Sequence, residues 1–153
     1  MSKAMKRPRA DTAVPPTHHA PRTQVAALCC RTGADGGTEV LLITSRETRR
    51  WVLPKGWPMA DRSAAEAART EAWEEAGVKA ARVWPEPVGS YRYDKRQAGG
   101  GTIPVEVQVF RIEVAELCDS YPEAHERTRS WVTPAIAAAR VDEPELKALL
   151  RGL

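Results

Sequence analysis

Residues 54–78 read PKGWPMADRSAAEAARTEAWEEAGV, a segment that carries the signals for both ends of a helix. Ser63 followed by Glu66 is an S-x-x-E capping box and predicts the start. Gly77 stands where a left-handed C-cap is wanted and predicts the end. At ~100° per residue, Ala65, Ala68, Ala72 and Ala76 share one narrow stripe of small side chains. Such a stripe lets the helix backbone lie close against a sheet. Glu71, Glu74 and Glu75, spaced i, i+3 and i+4, cluster on an adjoining face.

The acidic cluster is poor for the helix alone. Like charges at these spacings cost a few tenths of a kcal/mol per pair. Glu74 and Glu75 also lie toward the C-terminus, the wrong end of the macrodipole for anions. The capping signals obey local helix rules, so a violation at one spot marks a place where function is expected. Three converging carboxylates make a hard-oxygen site suited to Mg²⁺ or Mn²⁺. A solvated acidic face is the plain alternative.

Outward from this helix the chain reads mainly as strands. Residues 24–31 (QVAALCCR) and 39–45 (EVLLITS) are apolar runs separated by TGADGG, which predicts strand, turn, strand. WVLP at 51–54 predicts a brief third strand ended by Pro54. Residues 87–93 and 103–114 flank a loop from Asp94 to Thr102 and predict a long hairpin; Val105, Val107 and Val109 alternate there with Glu106 and Gln108. A short strand near 129–132 and helices over 134–140 and 143–151 follow. The fold class expected is α/β, a mixed sheet packed between helices.

At 153 residues, with 42% hydrophobic and 28% charged residues, the chain suits one globular domain. Residues 1–23 carry +4 of the net charge of +3, which leaves the remaining 130 residues at −1. Residues 1–22 hold four prolines and few large apolar side chains, which predicts a disordered basic arm ahead of a domain over 23–153. KRPR at 6–9 offers a contact for nucleic acid or an acidic partner, but a solubilising tail is expected. No apolar run approaches ~18 residues, so no membrane-spanning helix is expected. The basic start lacks an apolar h-region, and no secretory signal is expected. Cys29, Cys30 and Cys118 are odd in number and two are adjacent, which argues against a disulfide framework or zinc site and suits a reducing, cytoplasmic compartment. Cys29 and Cys30 read as strand core.

Several side chains are candidates for a ligand. Arg46, Arg49, Arg50 and Lys55 lie within ten residues just before the helix. In a nearly neutral domain they fit either a phosphate-rich ligand or a solvated basic loop. Arg92, Lys95 and Arg96 at the glycine-rich hairpin form either a second wall or a charged loop tip. Trp51 and Trp57 offer stacking or packing surfaces. Glu123, His125 and Glu126 sit in a polar stretch that is a candidate source of a further ligand or base.

Residues 56–78 resemble the signature of the Nudix hydrolases: glycine, five residues, glutamate, seven residues, then arginine–glutamate–apolar–any–glutamate–glutamate–any–glycine–apolar. Gly56 opens the pattern, and Glu71, Ala72, Glu74, Glu75, Gly77 and Val78 fall at its offsets. The family's first glutamate falls at Arg62 and its arginine at Thr70, with Arg69 beside it. In the family these two residues lie near each other and help orient the metal-binding glutamates; losing both together reads as a paired replacement. The wider likeness runs from about residue 22 to the end. It is nearest the branch of diphosphoinositol polyphosphate and diadenosine polyphosphate phosphohydrolases.

The resemblance implies a Nudix-type α/β/α sandwich and Mg²⁺-dependent (or Mn²⁺-dependent) hydrolysis of a diphosphate linkage. It implies Glu71, Glu74, Glu75 and main-chain groups of Gly56 as metal contacts, with Glu75 or Glu71 as general base. The partner expected is a small-molecule diphosphate, either a dinucleoside polyphosphate or an inositol pyrophosphate, and a homodimer is compatible. Nucleic acid is not the expected partner. Two other readings remain: a Nudix-fold module that binds a phosphorylated ligand without turnover, and a pyrophosphohydrolase of nucleotides or RNA 5′ ends.

Overall fold

The computed structural model describes residues 22–153. In chain order these form β1 (Arg22–Thr32), β2 (Thr38–Thr44), β3 (Trp51–Val52), β4 (Lys55–Gly56), α1 (Ala64–Ala76), β5 (Val78–Val83), β6 (Gly89–Arg96), β7 (Thr102–Leu117), β8 (Arg129–Val132), α2 (Pro134–Arg140) and α3 (Pro144–Arg151). The arm expected over 1–22 lies outside the described residues except for Arg22, which opens β1.

β1 is the centre of the sheet. It runs parallel to β7 from Arg22 to Cys30 and antiparallel to β2 and β4. The other pairings are antiparallel, so the sheet is mixed, in the order β3-β2-β1-β7-β5. β8 pairs with β2, and β6 forms the expected hairpin with β7.

Both faces of β1 are covered. Ala26, Leu28 and Cys30 join Val105, Val107 and Val109 beneath Ala137, Ala138, Leu146 and Leu150 of α2 and α3. Val25, Ala27 and Cys29 join Phe110 and Ile112 beneath α1, whose Ala65, Ala68, Ala72 and Ala76 are all buried there. Burial on two sides explains why the run is continuously apolar rather than alternating. The result is the α/β/α sandwich expected.

α1 is held as its sequence implies. The Ser63 hydroxyl accepts from Glu66 N at 3.2 Å, and Gly77 ends the helix at φ 72°.

One expectation needs correction. The third strand does not run through 51–54. It stops at Val52, and β4 begins after Pro54 against a different neighbour. Proline lacks a donor but keeps its carbonyl: Ala27 N donates to Pro54 O at 2.9 Å, and Lys55 and Gly56 then pair with Ala26 and Val25. This seats Gly56 on the central strand. The sheet also gains β5, for which VKAARV gives weak pattern: it is a largely exposed edge strand with two register shifts against β7.

Candidate functional site

β4, the last turns of α1, the 45–50 loop, the 118–128 segment and the β6–β7 hairpin enclose a cleft of about 1540 Å³. One wall is acidic. The β4–β1 pairing brings Lys55 N to within 3.2 Å of Glu75 Oε1, where it donates. Glu71 lies against Gly56 so closely that a Cβ at position 56 would overlap its carboxylate. Glu123 joins this wall from the 118–128 segment, its N donating to Glu74 O at 3.0 Å. Arg127 is 8% exposed and pairs with Glu123 at 2.8 Å and Glu75 at 3.7 Å.

Crowding shows in the protonation of the acids. Burial, then the Glu75 charge and a hydrogen bond to Glu75, push Glu71 up to about 8. Burial also raises Glu75, against the pull of Arg127 and the Lys55 amide. Lys55 moves the other way, lowered by burial although Glu75 and Glu143 favour its charge. Its ammonium stands 5.2 Å from the centre of the Tyr93 ring.

The cleft brings together Glu71, Glu75 and Gly56 of the expected metal contacts, but Glu74 is not part of its wall. Of the expected phosphate ligands it gathers Arg46, Arg50 and Lys55, while Arg49 stays outside. Arg49 instead reaches Glu126 O at 3.5 Å and Thr128 Oγ1 at 3.4 Å, from a backbone with φ 57°. Arg46 is tied to Glu126 at 3.2 Å, and Arg50 to Asp142 at 3.0 Å and Glu143 at 3.4 Å. Lys95 and Arg96 also line the cleft, together with Arg22; Arg92 does not. Among the described residues these three cations have no carboxylate partner within salt-bridge distance. Trp57 lines the cleft, whereas Trp51 lies under Arg140 at 5.3 Å.

Sequence reasoning did not find Arg127, Glu143, Gln24 or Tyr93. The floor of the cleft holds the last two, with Tyr93 Oη donating to Gln24 Oε1 at 2.7 Å. A trace of Arg127 is present as the i, i+4 spacing from Glu123. The substituted positions Arg62 and Thr70 hydrogen-bond to each other on the exposed side of α1, outside the cleft wall.

Among the described residues no three acid, histidine or cysteine side chains stand close enough to hold an ion as they are placed. The donor chemistry nonetheless fits a hard divalent cation: two hydrogen-bonded carboxylates, one of them raised by the charge of the other, a third beside them, and a glycine cradle that a side chain would fill.

A pH dependence follows. Folded Glu71 holds its proton more tightly than the unfolded chain does. Its contribution to stability is therefore full below about pH 4.5 and lost as the pH rises through about 8. The metal-free protein is expected to lose Tm across this window. Because a cation binds deprotonated carboxylates, added Mg²⁺ should raise Tm more at about pH 9 than at about pH 5. Thermal melts with and without Mg²⁺ check this, and an equal effect at both pH values would remove Glu71 from the cation site.

Comparison with known proteins places these features. The chain is 33% identical over 102 residues to Nudix hydrolase 13, mitochondrial, of Arabidopsis thaliana, covering 61% of this chain and 48% of that protein. It is 30% identical over 118 residues to Nudix hydrolase 16, mitochondrial, of the same plant, covering 74% and 64%. It thus spans under two thirds of the length of either relative. Among solved structures, the Ap4A hydrolase of C. elegans superposes with a TM-score of 0.61 at 20% identity, covering 86% of this chain and 95% of that one. The NUDIX domain of Shewanella oneidensis NrtR, complexed with ADP ribose, superposes at 0.63 with 17% identity, covering 92% of each. The family model described as NUDIX domain matches residues 22–152. With that match running from the first residue of β1 past the end of α3, the chain belongs to the Nudix family.

Proposed function

We propose that this chain is a divalent-metal-dependent pyrophosphohydrolase, using Mg²⁺ or Mn²⁺, that opens a diphosphate linkage in a polyphosphorylated small molecule. One observation carries the reading: a single cleft is lined both by the acids Glu71, Glu75 and Glu123 and by three cations, Arg22, Lys95 and Arg96, with no carboxylate partner among the described residues. Acids that hold a cation and cations that hold phosphate are what diphosphate cleavage needs in one place.

Glu71, Glu75 and the main chain of Gly56, which line the cleft, would hold the metal. When bound, it supplies charge neutralisation on the diphosphate oxygens. Glu75 or Glu71 takes the proton of the attacking water. Lys55, Arg46 and Arg50 line the same cleft. Arg22, Lys95 and Arg96 bind phosphates farther from the bond that breaks, which favours a dinucleoside polyphosphate or an inositol pyrophosphate over a simple nucleotide. The Ap4A hydrolase neighbour supports a substrate of that kind, and the ADP-ribose complex supports a diphosphate more broadly.

The test is product release from diadenosine polyphosphates, inositol pyrophosphate, NADH, ADP-ribose and nucleoside triphosphates, with and without Mg²⁺ or Mn²⁺. Metal-dependent turnover, fastest on the most phosphorylated substrates, is the expected result. No turnover on any of them with either metal would overturn the proposal in favour of a binding module.

Gly56→Ala tests the cradle. The new methyl group must displace the Glu71 carboxylate, the mobile end of a side chain, so the fold should hold. Turnover should fall by on the order of 10- to 100-fold, with Tm changed by less than about 3 °C. Activity equal to the parent's would show that Glu71 need not stand at Gly56.

A further inference from the structure

Arg127 is nearly buried, yet it belongs to a polar segment between β7 and β8. Its three nitrogens reach three separate parts of the molecule. Nε pairs with Glu123 Oε1 at 2.8 Å, Nη2 with Glu75 Oε2 at 3.7 Å, and Nη1 donates to Thr44 O at 3.1 Å. A guanidinium is a rigid planar fork, so occupying all three nitrogens fixes the two carboxylates relative to each other and to β2. Both are cleft-wall acids, one on α1 and the other 48 residues later in the chain. Nothing else among the described residues bridges them. Thr70 on α1 is turned to other partners, Arg62 and the Glu66 carbonyl. Without Arg127, the Glu75 and Glu123 carboxylates would be neighbouring anions with no guanidinium joining them, and repulsion would turn the Glu123 side chain off the wall even though its backbone stays bonded to Glu74 O.

We propose that Arg127 is a positioning residue: its guanidinium sets Glu75 and Glu123 on one wall, and so makes Glu123 part of the acid set that receives the divalent cation. The effect on turnover rests on the hydrolase activity proposed above; the effect on cation binding does not.

The experiment measures Mg²⁺ affinity of the substrate-free protein by calorimetry, together with kcat and KM on diadenosine tetraphosphate. Arg127→Met is expected to weaken Mg²⁺ binding and lower kcat, each by on the order of 10- to 100-fold, with KM within about 3-fold of the parent. Arg127→Lys keeps the charge but loses the fork and should recover part of both losses. Parent-like Mg²⁺ affinity in Arg127→Met overturns the proposal. So does a loss confined to KM, which would make Arg127 a phosphate ligand. If Arg127→Met does not fold, Arg127→Lys carries the test, and parent-like Mg²⁺ affinity in that variant overturns it. A parent inactive on diadenosine tetraphosphate would count against the activity on that substrate, while the Mg²⁺ affinities would still decide the role of Arg127.

Discussion

Glu75→Gln is expected to lower metal-dependent turnover by on the order of 1,000-fold while leaving the melting temperature at or above that of the parent. Glutamine has nearly the same shape. Its carbonyl oxygen can accept from Lys55 N, the bond that joins α1 to β4. What it loses is a charge held under strain. Glu75 is buried, its proton affinity is raised by that burial, and its charge in turn raises Glu71. Removing the charge relieves Glu71 and lowers the folded-state cost of its ionisation, which stabilises the metal-free protein above about pH 4.5. The pair with Arg127 is weakened, but Arg127 keeps Glu123 at 2.8 Å. Stability and activity should therefore move apart, as expected of a group retained for chemistry rather than packing. Steady-state rates and thermal melts on one preparation check it. Parent-like turnover would remove Glu75 from the cation site; a Tm lowered by more than about 10 °C would make it a structural residue.

The parts legible in the sequence are those set by neighbours in the chain. Ser63 and Gly77 bound α1 because capping acts over three or four residues, and the alanine stripe shows its buried side because a helix repeats so regularly. β1 and β7 are legible because burial on one face or two leaves an alternating or continuous apolar trace. The motif spacing from Gly56 to Val78 spans one strand end and one helix, so it too is local. β4 is different: two residues, Lys55 and Gly56, become a strand through pairing with Val25 and Ala26, some thirty positions earlier.

The cations show the same division. Charge is visible in a sequence, but its neutralisation is not. Arg46 and Arg50 lie beside the motif, yet Glu126 and Asp142, 80 and 92 positions away, already hold them. Lys95 and Arg96 read as an ordinary charged loop tip, and it is the β6–β7 register that carries them to the cleft. Arg127 is the extreme case. A basic residue in a polar stretch predicts a solvated side chain, and only the approach of β2, α1 and the 118–128 segment buries it.

Gly77→Ala is expected to destabilise the protein by about 2–4 kcal/mol and to lower Tm by roughly 5–15 °C. Two costs combine. At φ 72° the alanine is in the left-handed region, which costs about 1 kcal/mol or more. Its Cβ would also lie 2.6 Å from Cys118 O and 2.6 Å from Tyr121 Cδ1. The first of those is backbone and cannot swing aside. It is held by the Gly77 O bond to Cys118 N at 2.8 Å, and by Arg129 Nη1, which donates to both Ala76 O at 3.0 Å and Cys118 O at 2.7 Å. The 118–128 segment would have to shift as a unit, taking Glu123 and Arg127 with it. Activity should then fall even at temperatures where the variant is fully folded. Gly36→Ala separates the two costs: φ is 87° there, but nothing lies within 4 Å of the added methyl, so it should lose only about 1 kcal/mol, or roughly 2–4 °C. Thermal melts of both variants and rates measured well below either midpoint decide the matter. Equal Tm losses would mean that the 118–128 segment yields freely, and that the joint between α1 and this segment does not set the acidic wall.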